Sequence, residues 1–378
     1  MFSQEELKRY SRQMLLPDLG QTGQQRIKEG SVLVIGAGGL GSPALYYLTA
    51  AGVGRLGIVD FDLVDESNLH RQILFTTKDI GKKKTEQAGV RLRELNPNVK
   101  IELHDGLLNS DNAMKIISSY DVIIDGSDNL PTRYLVNDAC VLLKKTLIYG
   151  AIFQFEGQVS VFNHLNADGK RGPNYRDLFP EPPPPEMVPS CSVGGVLGVL
   201  PGIIGSMQAN EALKVLTGIG TTLSGRLMIY DALDFTTRFL NLKSNVDNPV
   251  SGINPTITKL IDYEAFCKAS ASTVEAKEIS PLEVRELLRG DGIQLIDVRE
   301  SFEFDIVNIG GVNIPIDSLL DQKELLKKDR MIIVYCKSGQ RGAIAARKLR
   351  ENGFENAVNM KGGLIAWKAE VNKDLTLY

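Results

Sequence analysis

Residues 31–60, SVLVIGAGGLGSPALYYLTAAGVGRLGIVD, constrain this chain more than any other stretch. The first six are an apolar, β-branched run ending in glycine, as in a buried strand. Apolar residues at helical spacing follow, and LGIVD (56–60) is a second apolar strand closed by an acid. Together they form one βαβ unit. The alternation continues with a helix near 82–95, a strand near 99–103, a helix near 111–119 and a strand in DVIIDGSDN (121–129). This predicts an α/β fold with a Rossmann-like, mainly parallel sheet covered on both faces.

At 378 residues, 43% hydrophobic and 24% charged, the chain can bury more than one core. Its formal charge of −3 offers no basic excess for nucleic acid. Cys140, Cys191, Cys267 and Cys336 form no C-x-x-C pair, and isolated thiols suit a reducing compartment. The charged start, MFSQEELKRYSRQ, lacks the apolar stretch of a signal peptide, so a cytoplasmic location is expected. Residues 191–210 are uncharged, but glycines and Pro201 break them. They read as a buried segment of a globular domain, not a membrane span.

The run FPEPPPPEMVP (179–189) excludes regular helix and central strand. It is either a stiff surface connection or a mobile segment over a site, with Cys191 just beyond it. Residues 243–278 turn polar and irregular, which suggests a domain at 1–245, a linker at 246–278 and a second domain at 279–378. The second domain restarts with a helix capped by Ser280 before Pro281. Strands at 294–300 and 331–336 follow, then a loop and helix.

Gly36, Gly38, Gly39 and Gly41 lie between the first strand and its helix, where backbone can approach phosphate and the helix N-terminus favours an anion. Asp60 is placed to bond a ribose hydroxyl. Alone, this pattern would suit a nicotinamide dinucleotide and a dehydrogenase. The residues that follow favour a triphosphate instead: Asn68, Arg71 and Gln72 in a polar loop, then Lys84, then Asp128 and Arg133. Cations can neutralise charge on phosphate oxygens, and an aspartate can hold Mg²⁺ through oxygen.

Here the sequence resembles the ubiquitin-activating-enzyme-like adenylyltransferases, in particular the MoeB/ThiF branch. RYSRQMLLP, GAGGLGSPALYYLTAAGVG, DFDLVDESNLHRQ, LNPNVKI, DGSDNLPTRYLVND and GAIFQFEGQVSVF carry the resemblance over about residues 5–242. It implies ATP-dependent adenylation of the C-terminal Gly-Gly carboxylate of a ubiquitin-fold sulfur carrier of the MoaD/ThiS type. It also implies phosphate contacts from Gly39, Asn68, Arg71 and Lys84, ribose binding by Asp60 and Mg²⁺ at Asp128. Arg12 would reach the nucleotide across a homodimer interface. Many relatives hold structural zinc with two C-x-x-C pairs. The matching segments here, near 173–179 and KSNVDNPV, contain no cysteine, so no zinc is expected.

Cys336 opens the loop Cys-Lys-Ser-Gly-Gln-Arg341 between a strand and a helix. A helix N-terminus and a nearby arginine would favour a thiolate or persulfide anion. With LIDVRE, FEFDIVNIGGVNIP, YCKSGQRGAIAARKL and GGLIAWK, residues 279–372 resemble a rhodanese domain. A cysteine phosphatase is the alternative, but its loop has five residues between Cys and Arg, where this one has four.

The two resemblances together imply a bifunctional enzyme. Cys336 would carry persulfide sulfur from a cysteine desulfurase or another donor to the adenylated carrier, for molybdopterin or thiamine synthesis. Cys191 would act as a resolving thiol or stay structural. A dehydrogenase with an accessory rhodanese domain, or a binding module with a decayed site, remain as other readings.

Overall fold

The computed structural model describes residues 1–183, 195–269 and 277–377. It divides into two compact units, Met1–Ala271 and Ser272–Tyr378.

The first unit is built on an eight-stranded sheet. Its strands are β1 (Ser31–Ile35), β2 (Arg55–Asp60), β3 (Lys100–Asp105), β4 (Val122–Asp125), β5 (Thr146–Phe153), β6 (Glu156–Phe162), β7 (Arg226–Asp231) and β8 (Thr236–Asn241). They lie in the order β3-β2-β1-β4-β5-β6-β7-β8. The run from β3 to β5 is parallel, as expected. The strands after β5 pair antiparallel, a departure from the parallel pattern. No crossover helix separates β5 from β6: the chain turns at Gln154 and Phe155, and Gln154 takes a left-handed φ of 52° to close the hairpin.

Alternate strand residues feed two cores. Val32, Val34, Leu56 and Ile58 pack on one face with residues of the helices Gly41–Ala51 and Leu200–Thr217. Leu33, Ile35 and Ile123 point to the other face, under the helices Ala113–Ser118 and Leu130–Leu142. Among the described residues, no helix is long and apolar enough to cross a membrane.

The first unit extends into the stretch expected to be linker. The helix Tyr263–Ala269 docks on it. The Tyr263 hydroxyl donates to Asp138 at 2.8 Å, and the Phe266 ring lies 5.3 Å from that of Tyr134. Asp138 is in turn held by Arg176, Nε to Oδ1 and Nη2 to Oδ2, each at 2.8 Å. Polarity misled because a few apolar residues in a mainly polar run, Leu260, Ile261, Tyr263 and Phe266, do the anchoring.

The two segments without cysteine nevertheless meet, as Asn174-x-x-Asp177 and Asn248-x-x-Ser251. Asn174 Nδ2 donates to Ser251 Oγ at 2.8 Å, and Asn248 Nδ2 donates to Asp177 Oδ1 at 2.8 Å. The Asn245 amide also donates to Asp177 Oδ1, at 2.8 Å. Hydrogen bonds between neutral amides, a hydroxyl and one carboxylate close this clasp.

The second unit has a five-stranded, all-parallel sheet: β9 (Glu278–Ile279), β10 (Ile293–Asp297), β11 (Val312–Asn313), β12 (Met331–Tyr335) and β13 (Ala357–Met360), in the order β11-β10-β12-β13-β9. Ile296, Val334 and Ala346 lie in one of its two cores, and Leu295, Tyr335 and Trp367 in the other. Because β10 and β12 are neighbours, the loops leaving Asp297 and Tyr335 rise side by side.

Candidate active sites

In the first unit, strand order reverses between β1 and β4, and ligands of open α/β sheets collect outside the carboxyl ends of strands at such a point. The glycine loop sits there. Gly36 has φ 89°, and a Cβ on it would lie 2.8 Å from the carbonyl oxygen of Gly126, on the loop after β4. A Cβ on Gly41 would run into the carbonyl oxygen of Gly36. Both positions therefore require glycine.

Asp60 ends β2 and is 8% exposed. Its Oδ2 accepts from the Ala37 amide at 2.7 Å, and its Oδ1 accepts from the Asp62 amide at 2.8 Å. Burial raises its carboxyl above the ordinary value, against the opposing pull of Lys84 and the two amides. The expected ribose ligand thus also pins the glycine loop. Lys84, 3% exposed, ion-pairs with Asp62 at 2.7 Å.

The polar loop after β2 folds over the glycines. Gln72 Nε2 donates to Asn68 Oδ1 at 2.7 Å, and Arg71 Nη1 donates to the carbonyl of Ser67 at 3.1 Å. A Cβ on Gly38 would be 3.6 Å from Gln72 Nε2, and one on Gly39 would be 3.7 Å from Arg71 Cδ. Gln72 Oε1 is buried without a hydrogen-bond partner. Gly36, Gly38, Gly39, Gly41, Asp60, Asn68, Arg71, Gln72 and Lys84 therefore gather around one loop.

Asp128 is exposed on the loop after β4. This loop abuts Gly36 through Gly126. Asp125, which sequence reasoning passed over, is 1% exposed and accepts from the Ser127 amide at 2.9 Å and the Ser127 hydroxyl at 2.6 Å. It shapes the loop that presents Asp128. Its signal was the acid that ends the apolar strand VIID. Asp62 was also missed; the only cue was its place two residues after Asp60.

Arg12 is apart from this cluster. It is exposed in the helix Gln4–Met14. Its neighbour Gln13 donates to the carbonyl of Ala51 at 3.2 Å. Ala51 ends the helix that begins at the glycine loop, so this Gln13 contact is at that helix's far end, roughly 15 Å along it from the loop.

In the second unit, Cys336 follows β12 and is 1% exposed. Its Sγ accepts from the Gly339 amide at 3.1 Å and the Gly342 amide at 3.4 Å, at the start of the helix Gln340–Glu351. The loop is also backed from below. The amides of Leu364 and Ile365 donate to the carbonyls of Cys336 and Lys337 at 2.9 and 3.0 Å. Arg341, expected beside the thiol, is gripped by Glu303, Nη1 to Oε2 at 2.6 Å and Nη2 to Oε1 at 2.7 Å. Glu303 is a third residue of these clusters that sequence reasoning missed. Cys191 lies outside the described residues. Among the described residues, no group of three His, Cys, Asp or Glu side chains could hold a metal ion.

The ThiF family model matches residues 10–250, and the rhodanese-like domain model matches residues 280–370. The chain belongs to the ThiF family. This ThiF-family chain is 47% identical over 384 residues to the probable adenylyltransferase/sulfurtransferase MoeZ of Mycobacterium tuberculosis, covering 100% of this chain and 96% of that protein. It is 43% identical over 392 residues to adenylyltransferase and sulfurtransferase MOCS3 of Drosophila yakuba, covering 99% of this chain and 85% of that protein. The sulfur carrier protein adenylyltransferase of Thermus thermophilus is 56% identical over 266 residues, 70% of this chain and 98% of that protein. In fold, the ThiF-family chain resembles E. coli MccB solved with ATP, at a TM-score of 0.56 and 21% identity, over 66% of this chain and 75% of that one. Family membership sets the dehydrogenase reading aside.

Proposed function

We propose that this chain adenylates the C-terminal carboxylate of a ubiquitin-fold sulfur carrier and then transfers sulfur to it from a persulfide on Cys336. One observation carries this reading: a glycine loop ringed by Arg71, Gln72 and Lys84 shares its chain with a thiol cradled by amide N–H groups. The names of full-length relatives, adenylyltransferase and sulfurtransferase, support it.

In the first half-reaction a carrier carboxylate oxygen attacks the α-phosphorus of ATP. The bond to the β-phosphate bridge breaks and pyrophosphate leaves. Gly39, Asn68, Arg71 and Lys84 would hold the phosphates, and Asp60 the ribose. Lys84 would exchange Asp62 for a phosphate oxygen, a trade open to it because Asp62 is partly in water. Asp128 fits Mg²⁺, an ion bound through one or two carboxylates plus phosphate oxygens; it would supply charge neutralisation. No protein nucleophile is needed, since positioning and charge stabilisation suffice.

In the second half-reaction the terminal persulfide sulfur attacks the acyl carbon and AMP leaves. A thiol then attacks the Cys336 sulfur of the acyl disulfide and releases the carrier thiocarboxylate. Cys191 is our candidate for that thiol, with an external thiol reductant restoring both cysteines. A cysteine desulfurase or another donor would reload Cys336. We also place the chain in the cytoplasm, as a homodimer in which Arg12 serves the partner's site, and without zinc. Product use in molybdopterin or thiamine synthesis belongs to the same proposal.

The test uses the full chain with a ubiquitin-fold carrier, Mg²⁺-ATP and a sulfur donor. Cys336→Ala is expected to release pyrophosphate and form adenylate, yet give no carrier with oxygen replaced by sulfur in the mass spectrum. Thiocarboxylate from that variant would overturn the role of Cys336.

A further inference from the structure

Glu303 lies outside the Cys336 loop, in the helix Ser301–Ile306, yet both its carboxylate oxygens accept from that loop's Arg341. It is 7% exposed, as is Arg341. Its Oε2 accepts both from Arg341 and from the Glu300 amide at 3.1 Å, so the carboxylate is fixed at both ends. A bidentate, buried pair of this kind sets the plane of a guanidinium as well as its charge. Arg341 directly precedes Gly342, whose amide points at Sγ. Among the described residues, other charged groups near the loop include Lys337 on the loop itself, Asp297 at the end of β10 paired with Arg299, and exposed Lys361 before the helix Gly363–Glu370.

We propose that Glu303 is a positioning residue for sulfur transfer: it holds Arg341 in place and offsets its charge, so that the sulfur anion on Cys336 stays nucleophilic. An anion can be stabilised too well. A lower sulfur pKa gives more anion, but each anion attacks more slowly. With Glu303 in place, the Gly339 and Gly342 amides set the stabilisation, and the guanidinium adds little net charge.

This rests on the sulfur-transfer reading of the second unit, so the experiment has two arms on the full chain. One is the rate of iodoacetamide modification of Cys336 near about pH 6.5, read on its peptide by mass spectrometry; that rate follows the thiolate fraction multiplied by the reactivity of each thiolate. The other is sulfur transfer from thiosulfate to cyanide. In Glu303→Gln, a thiolate fraction about tenfold larger made of anions about threefold less reactive is expected to raise alkylation about threefold, while transfer, measured at a pH that ionises the thiol in both chains, slows about threefold. A loop that was merely loosened would lose its amide donors and slow both. Unchanged or slower alkylation in Glu303→Gln therefore overturns the proposal. Should that variant fail to fold, Glu303→Asp decides, since it keeps the charge and shortens the arm. Slower transfer with near-native alkylation supports the proposal, and a joint fall overturns it. A native chain that moves no sulfur overturns the reading of the unit itself; native transfer with unchanged alkylation in Glu303→Gln overturns only the role of Glu303.

Discussion

Lys84 Nζ lies 2.7 Å from Asp62 Oδ2, with the lysine buried and the aspartate half in water. The ammonium is thus held at the edge of the glycine loop, and its carboxylate partner can be given up at small cost. Lys84→Met is expected to lower adenylate formation by about 100-fold or more, since on the proposed reading it removes a charge that acts on the transferring adenylyl group. Pyrophosphate release with saturating ATP measures this. Asp62→Asn, which leaves the ammonium in place, is expected to cost far less.

Gly41→Ala is expected to destabilise the first unit by about 3 kcal/mol, because the new methyl meets the Gly36 carbonyl and the backbone there has no room to move. Thermal unfolding should show a midpoint lower by roughly 6–12 °C for a unit of this size. A fall of a degree or two would mean that the turn relaxes.

The Asn174, Asp177, Asn248 and Ser251 clasp makes a prediction about metal. Asn248→Ala is expected to cost about 1–3 kcal/mol, since it removes a buried side chain whose nitrogen donates to Asp177 and whose oxygen accepts from the Val250 and Ser251 amides. Chelator or added zinc is expected to leave the native unfolding midpoint unchanged. A chelator-induced drop would show that a metal shares this clasp.

Glu102 gives the first unit a pH dependence. Lys100, at 2.6 Å, holds its carboxyl down at about 2, aided by Tyr120 and Arg55 and opposed by burial. A depressed carboxyl stabilises the fold above its ordinary value near 4.5, and that contribution is lost as pH falls towards about 2. Glu102→Gln is expected to be less stable than native by about 1 kcal/mol at neutral pH, with water screening part of the effect. The two chains should converge in acid, as urea unfolding across pH can show.

What could be read from the sequence was what local spacing encodes. The strand from Ser31 to Ile35, the glycines behind it and the acid at Asp60 follow from periodicity and turn chemistry, and the structure brings them together with Arg71, Gln72 and Lys84. Pairings between distant segments were not legible. Arg341 and Glu303 are 38 positions apart, and nothing in either motif says that the arginine should turn toward the acid. Asp125 was hidden for a different reason: it ends an apolar strand, and only the fold shows its carboxylate closing on Ser127. The helix Tyr263–Ala269 was hidden by averaging, because a few apolar residues anchor a segment whose mean character is polar.

The glycine turn is bolted at three points: the Gly36 amide to the Val59 carbonyl, the Ala37 amide to Asp60, and the Gly126 amide to the Ile35 carbonyl, all within 2.8 Å. A cradle that is rigid before its guest arrives forfeits little freedom on capture. Discrimination between nucleotides then falls to the side chains around the rim, and evolution could retune those one at a time without disturbing the floor beneath them.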